Sequence, residues 1–383
     1  MPSDAFDRLD GYLAEMVACR ASDLFLRADA SPSCRVDGRV ERTTLAVPDL
    51  QDMQRYTEQI LTPIAIERFA ASPDIDVAYT PADASLGRFR INLFMQRGTL
   101  ALAARAIPSG GVEFDSLNLP SSVLEMADAT SGLILIVGPT GCGKSTTLAA
   151  LLHHINRTRA EHIMTIEDPI EFVHDEAKCL IHQRQVGYDT ESFSVALRHV
   201  VRQAPDVILI GEMRDRDTME TALSAALTGH LILSTLHTTN VVQSVDRILN
   251  YFPPEARTQV QADLAVTLVG LVSMRLLPRA DAVGRIPAVE ILRGTPTVRR
   301  LITEGELTEL YDVMKRSDDV GMMTLNHSLV ELTRQGAVDE ATALRYAPNT
   351  DEFQLNLQGM YTGIDSIDLR TSDEALRAAE EED

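Results

Sequence analysis

The chain has 383 residues, 45% of them hydrophobic, and a formal net charge of −21. That length holds two domains of ordinary size with full cores, while the acidic balance argues against a general nucleic-acid binder, which carries a basic face. No apolar run is long enough to span a bilayer, and four scattered cysteines without a Cys-x-x-Cys pair (Cys19, Cys34, Cys142, Cys179) indicate neither a zinc site nor a disulfide framework, so a reducing cytoplasm is the expected setting.

The first residues, Met1 to Asp7, are acidic and carry no signal-peptide pattern. Spacing predicts an amphipathic helix from about Asp4 to Arg20, with Phe6, Leu9, Leu13, Met16 and Val17 on one face. A short strand is expected over 21–26, then a hairpin turning at Asp37-Gly38. One helix, interrupted near Thr62-Pro63, is expected over 47–71. Strand patterns return at 74–79, 87–94 and 99–107. These elements describe a small α+β domain, residues 1–108, with an antiparallel sheet. A glycine-containing polar stretch, Pro108 to Asp115, marks the boundary, and 109–118 is read as the linker.

From Pro120 onward strands alternate with helices, the pattern of an α/β domain with a central parallel sheet, assigned to 119–360. Buried strands are predicted at 133–137, 162–166, 207–210 and 231–236, with helices at 145–157, 194–203, 216–227 and 241–249. Past Arg279 the pattern is mainly helical: 296–302, 307–316, 324–335 and 339–345. Residues 361–383 end in an acidic run and are expected to form a tail.

The first predicted strand of this domain runs into Gly138-Pro139-Thr140-Gly141-Cys142-Gly143-Lys144-Ser145, followed by Thr146 and a helix, and fits G-x-x-x-x-G-K-[ST] without a mismatch. Its glycines let backbone N–H groups turn toward phosphate oxygens at the positive end of the helix. Lys144 is expected to reach the β- and γ-phosphates of ATP, and the Ser145 hydroxyl to bind Mg²⁺. Cys142 is read as a small side chain that fits the loop.

Two acidic clusters follow strand ends, where ligands bind in open α/β sheets. One is Thr165-Ile-Glu-Asp-Pro-Ile-Glu171; the other is Asp206-Val-Ile-Leu-Ile-Gly-Glu212. In the second, Gly211 stands where an aspartate is usual, leaving Glu212 as the acid serving Mg²⁺ or the phosphate end. His230 and His237 flank one apolar strand, which suggests phosphate sensing, and neither has ligand spacing for a metal. Arg88, Arg90, Arg97 and Arg105 lie on or between strands of the first domain; they read either as surface charge or as fingers reaching a neighbouring subunit's γ-phosphate.

Taken in order, these boxes resemble the secretion ATPase superfamily and, within it, the type IV pilus retraction ATPases of the PilT/PilU family. The Ala21-Ser22-Asp23-Leu24 stretch, the Gly87–Asn92 strand, the phosphate loop, Thr165–Glu171, Arg202–Asp215 and Thr228–Asn240 carry the resemblance over nearly the whole chain. It implies a PAS-like N-terminal domain joined to a RecA-like P-loop ATPase domain in a homo-hexameric ring, using ATP and Mg²⁺. It implies Glu171 as general base, Glu212 as Walker B acid, His230 and His237 as the histidine box, and Arg88, Arg90 and Arg105 as intersubunit contacts. The implied setting is the cytoplasmic inner-membrane base of a pilus, reached through a platform protein, with no nucleic acid involved. Absence of a Cys-x-x-Cys insertion favours retraction over extension. Thr297-Val298-Arg299 replaces the Ala-Ile-Arg of PilT-type proteins, while the Leu24-Phe25 pair, Met314–Thr324 and the acidic tail look PilU-like and imply a PilT-type partner motor. The alternatives are a related type II secretion or conjugation ATPase, and a RecA-core nucleic-acid translocase.

Overall fold

The structure, a computed structural model, describes residues 9–36, 38–107, 110–317 and 320–360, without the Ile64 side chain. The chain divides into two compact units. One comprises Met1–Gly110 with Asp168–Asp175 and Gln185–Asp189; the other comprises Gly111–Glu167, Glu176–Arg184 and Thr190–Asp383.

In the first unit, α1 (Leu9–Ala18) buries Leu9, Tyr12, Leu13 and Met16 at helical spacing. Val17, expected on that face, is exposed instead, at the edge of the stripe in the last turn of the helix. Strands β1 (Asp23–Arg27), β2 (Ser33–Val36) and β3 (Arg39–Arg42) follow; Asp37 of the expected turn lies outside the described residues. The helix expected over 47–71 is two helices, α2 (Leu50–Ile60) and α3 (Pro63–Ala71). Pro63 lacks the N–H that would continue α2 and sits at the start of α3, capped by Thr62. Strands β4 (Asp74–Tyr79), β5 (Arg88–Gln96) and β6 (Thr99–Ile107) complete an antiparallel sheet in the order β3-β2-β1-β6-β5-β4. Along β5, Phe89, Ile91 and Leu93 enter the core while Arg88, Arg90 and Asn92 line the other face.

In the second unit, α4 (Ser121–Glu125), β7 (Gly132–Val137), α5 (Lys144–Thr158), β8 (His162–Glu167), β9 (Leu180–Gln185), α6 (Phe193–Val200), β10 (Val207–Ile210), α7 (Arg216–Leu227), β11 (Leu231–Leu236) and α8 (Val241–Asn250) are followed by α9 (Pro254–Thr267), β12 (Leu268–Pro278) and β13 (Arg285–Arg293). The seven strands run in the order β13-β12-β7-β11-β10-β8-β9. Neighbours from β12 to β8 are parallel, whereas β13 pairs antiparallel with β12. The sheet is therefore wider than the four expected strands, and β13 replaces part of the region read as helical past Arg279. Ser273, Arg275 and Glu290 interrupt the apolar pattern of those two strands, and β9 (Leu-Ile-His-Gln-Arg-Gln) has too little apolar surface to signal burial. Helices α10 (Pro296–Glu304), α11 (Leu310–Lys315), α12 (Leu325–Arg334), α13 (Glu340–Tyr346) and α14 (Thr350–Leu357) close the unit. Leu325, Leu329 and Phe353 pack with Leu277, Ile286 and Ala288 of the β12–β13 hairpin. The acidic tail lies outside the described residues. Among the described residues no helix is long and apolar enough to cross a membrane.

Candidate active site

Strand β7 is buried along its whole length and hydrogen-bonded on both sides, Val137 pairing with Leu236 of β11 and Ser273 of β12. That fixes where the chain leaves the sheet. At Gly138 (φ 146°) an added Cβ would lie 2.5 Å from the Met274 carbonyl oxygen and 2.6 Å from Cys142 Sγ, so only glycine fits. Gly141 (φ 78°) and Gly143 (φ 100°) also have positive φ, and Gly143 caps α5. Pro139 and Thr140 are exposed at the tip, and Ser145 and Thr146 are half-buried in the first turn of α5. Lys144 is buried, and its Nζ donates to the carbonyl oxygens of Gly138 (2.9 Å) and Pro139 (3.1 Å). Burial pushes the Cys142 thiol up and outweighs the opposing pull of Lys144, so the thiol stays protonated and serves the loop by packing.

The second acidic cluster starts where β10 ends. Gly211 faces β8, where an added Cβ would lie 3.4 Å from both Glu167 Cα and the Ile166 carbonyl oxygen, an ordinary contact distance. Glu212, the next residue, is set by β11: Thr235 Oγ1 donates to the Gly211 carbonyl (2.7 Å) and Met213 N to the Thr235 carbonyl (3.3 Å). Its carboxylate lies 2.6 Å from Arg214 and 3.3 Å from His237 Nε2. Burial alone would raise the Glu212 carboxyl, but the Arg214 hydrogen bond and the His237 and Arg214 charges outweigh it and hold it below its ordinary value.

The two histidines separate. His237 follows the C-terminal end of β11, the end at which β7 feeds the phosphate loop. His230 precedes the N-terminal end, where its Nδ1 lies 2.9 Å from the Ala225 carbonyl oxygen. Seven residues of extended chain put them roughly 20 Å apart. At that separation one triphosphate at the loop of the same chain does not touch both side chains. Glu167, quoted in the first acidic cluster without a role, is buried at the end of β8, where its Oε1 accepts from Thr165 Oγ1 (2.7 Å) and Gln183 Nε2 (3.1 Å). Among the described residues no group of three or more His, Cys, Asp or Glu is placed to hold a metal by itself.

Glu171 is exposed and belongs, with the 168–175 segment, to the first unit; the chain passes from Glu167 through a cis Asp168–Pro169 peptide to reach it. Within that unit Arg90 donates through Nε to Asp76 (3.0 Å), and Glu171 and Asp168 are close enough to favour its charge further. Arg105 sits directly across from Arg90 on β6 and donates to Asp23 (2.7 Å), which also accepts from Arg35 (3.1 Å) and Ser22 (2.8 Å). Arg97 turns the β5–β6 hairpin at φ 50°. Arg88 Nε is buried and has no hydrogen-bond partner. So Arg90 and Arg105 each spend their Nε donor within their own sheet, and the buried Nε of Arg88 is unspent.

Comparison with known proteins follows the same lines. The family described as "Type II/IV secretion system protein" matches residues 113–321. The type IV pilus ATPase PilU of Pseudomonas aeruginosa is 37% identical over 368 residues, 96% of this chain and 96% of its own length. The type IV pilus retraction ATPase PilT of the same organism is 39% identical over 333 residues, 87% of this chain and 96% of its own length. A solved structure of the pilus retraction motor PilT with bound ADP aligns with a TM-score of 0.83 and 39% identity, covering 90% of this chain and 98% of that one.

Proposed function

The chain belongs to the PilT/PilU family of type IV pilus retraction ATPases, and from that premise we propose that it works as a cytoplasmic homo-hexameric ring at the inner-membrane base of the pilus, coupled through a platform protein. The observation that carries the chemistry is Lys144, buried in a complete phosphate loop with its donors on loop carbonyls, on the sheet edge that also carries the Glu212–His237 pair. Phosphate oxygens make stronger, charge-assisted partners for Nζ than carbonyls do, so ATP takes Lys144 over without a carboxylate having to be displaced.

Mg²⁺ fits the donors present. Ser145 offers a hydroxyl in the first turn of α5, and Glu212 an acid held ionised by Arg214 and His237. A magnesium ion carried by nucleotide phosphates needs only one or two protein oxygens, and when bound it supplies positive charge for the phosphates. Glu171 is assigned as the general base that takes the proton of the attacking water. His237, fixed against Glu212, is assigned to the phosphate end of the site. Arg88 is assigned as the finger that a neighbouring subunit's nucleotide meets.

Similarity to PilU across 96% of both chains favours action alongside a PilT-type motor. A strain lacking this gene, complemented by the gene alone or together with a PilT-type gene, tests that reading by twitching motility. Restoration that needs both genes is expected. Full restoration by this gene in a strain with no other retraction motor would contradict the partnership. Failure of twitching with both present, while pili assemble normally, would contradict retraction itself.

A further inference from the structure

The β12–β13 hairpin carries a buried carboxylate that none of the roles above uses. Glu290 is 5% exposed, and its Oε2 accepts the backbone N–H of Val241 at 2.9 Å. Val241 is the first residue of α8, and the Asn240 side chain that caps this helix accepts from Gln243 N, leaving the Val241 N–H to Glu290. Directly across the hairpin from Glu290 is Ser273, so the two side chains share a face of the sheet. Ser273 Oγ donates to the Thr239 carbonyl at 3.2 Å. One pair of facing residues thereby grips the chain on both sides of Asn240.

The gripped segment is the loop that presents His237. On its other side Leu236 is locked into β11 opposite Val137, the residue before the phosphate loop. Between these anchors Thr238 is buried with its hydroxyl 2.6 Å from Ser244, and His237 is the exposed side chain that reaches Glu212. The same hairpin floors the phosphate loop, since Met274 is the residue that Gly138 packs against and Ser273 pairs with Val137. The loop that holds phosphate and the loop that holds His237 thus take their positions from adjacent residues of one hairpin.

We infer that Glu290 is a positioning residue for ATP hydrolysis, setting the His237 loop through the Val241 N–H. Burial raises its carboxyl, with the Val241 N–H and Arg275 opposing, which fits a group kept for its acceptor oxygen more than for its charge. The inference rests on the reading of His237 given above.

The test compares kcat, and the dissociation constant of a fluorescent ATP analogue, for the full-length chain and four variants: Glu290→Asp, Glu290→Gln, His237→Ala and His237→Ala with Glu290→Asp. Aspartate keeps the charge but withdraws the acceptor by one methylene, whereas the glutamine amide oxygen still accepts from Val241 N. Glu290→Asp is expected to lower kcat roughly tenfold, as a displaced active-site group does, with analogue affinity unchanged within about twofold. Glu290→Gln is expected to keep most of the rate. Adding Glu290→Asp to His237→Ala is expected to cost nothing further, because the effect passes through His237. A slow Gln variant beside a normal Asp variant would overturn the inference, as would penalties that multiply in the double variant. If His237→Ala alone leaves kcat unchanged, it is the earlier reading of the site that fails; a slow His237→Ala beside a normal Glu290→Asp sinks this inference alone.

Discussion

On the outer face of the six-stranded sheet, Arg90 is held by Asp76 and Arg105 by Asp23, each cation answered by a carboxylate from a neighbouring strand. At the loop edge of the seven-stranded sheet Lys144 donates only to backbone carbonyls, and Glu212 is shared between an exposed arginine and an exposed histidine. Both regions present cations and acids on or beside strands, in a pattern that suggests catalysis. The first engages the Nε of each arginine with a carboxylate of a neighbouring strand, which ties the sheet's polar face together. The second keeps a buried cation whose present partners are weaker than phosphate, so its charge remains available.

Breaking the second region should cost function with little cost in stability. Lys144→Ala should abolish turnover and nucleotide binding together, measured by phosphate release and analogue fluorescence, because no other cation of the loop replaces it. His237→Ala should lower kcat by about ten- to a hundredfold, the range typical of one positioned polar group, while the melting temperature holds. Breaking the first region should do the reverse. Asp23→Asn leaves Arg105 and Arg35 without their acid and should destabilise the first unit by about 2 kcal/mol, less than a fully buried pair because both arginines are partly exposed. Burial would raise the Asp23 carboxyl, yet Ser22, Arg105 and Arg35 bring it below its ordinary value. Its contribution is therefore complete above the ordinary carboxylate range and fades as the pH falls through the folded value; denaturant melts of Asp23→Asn should lose that acid limb. Arg105→Ala should cost under about 1 kcal/mol, since its guanidinium is two-thirds exposed, and should leave hydrolysis intact. A large kcat effect from Arg105→Ala would return it to the role of a finger and dissolve the contrast.

One side of this contrast is legible in the sequence. The phosphate loop declares itself through residue types that only a tight, left-handed turn into a helix requires, and the strands on either side of it are long apolar runs. The resemblance carried by the ordered boxes also reached the right family. Other features depend on contacts distant in sequence. Asp23 and Asp76 lie many residues from the arginines they satisfy, so alternation along β5 showed a polar face without showing that it was already paired. The β12–β13 hairpin was missed because Ser273, Arg275 and Glu290 look wrong for a core strand, and two of the three are there to hold the His237 loop. His230 and His237 share a motif but stand at opposite ends of β11; the strand's own length held that signal.

The most direct test of the account is Glu171→Gln in the purified full-length protein, with nucleotide binding and phosphate release measured on the same preparation. Glutamine keeps the size and one acceptor oxygen of the side chain while removing its capacity to accept water's proton. The account predicts ATP binding at the wild-type level, Lys144 and its loop being untouched, with phosphate release lost. Phosphate release at the wild-type rate would contradict it.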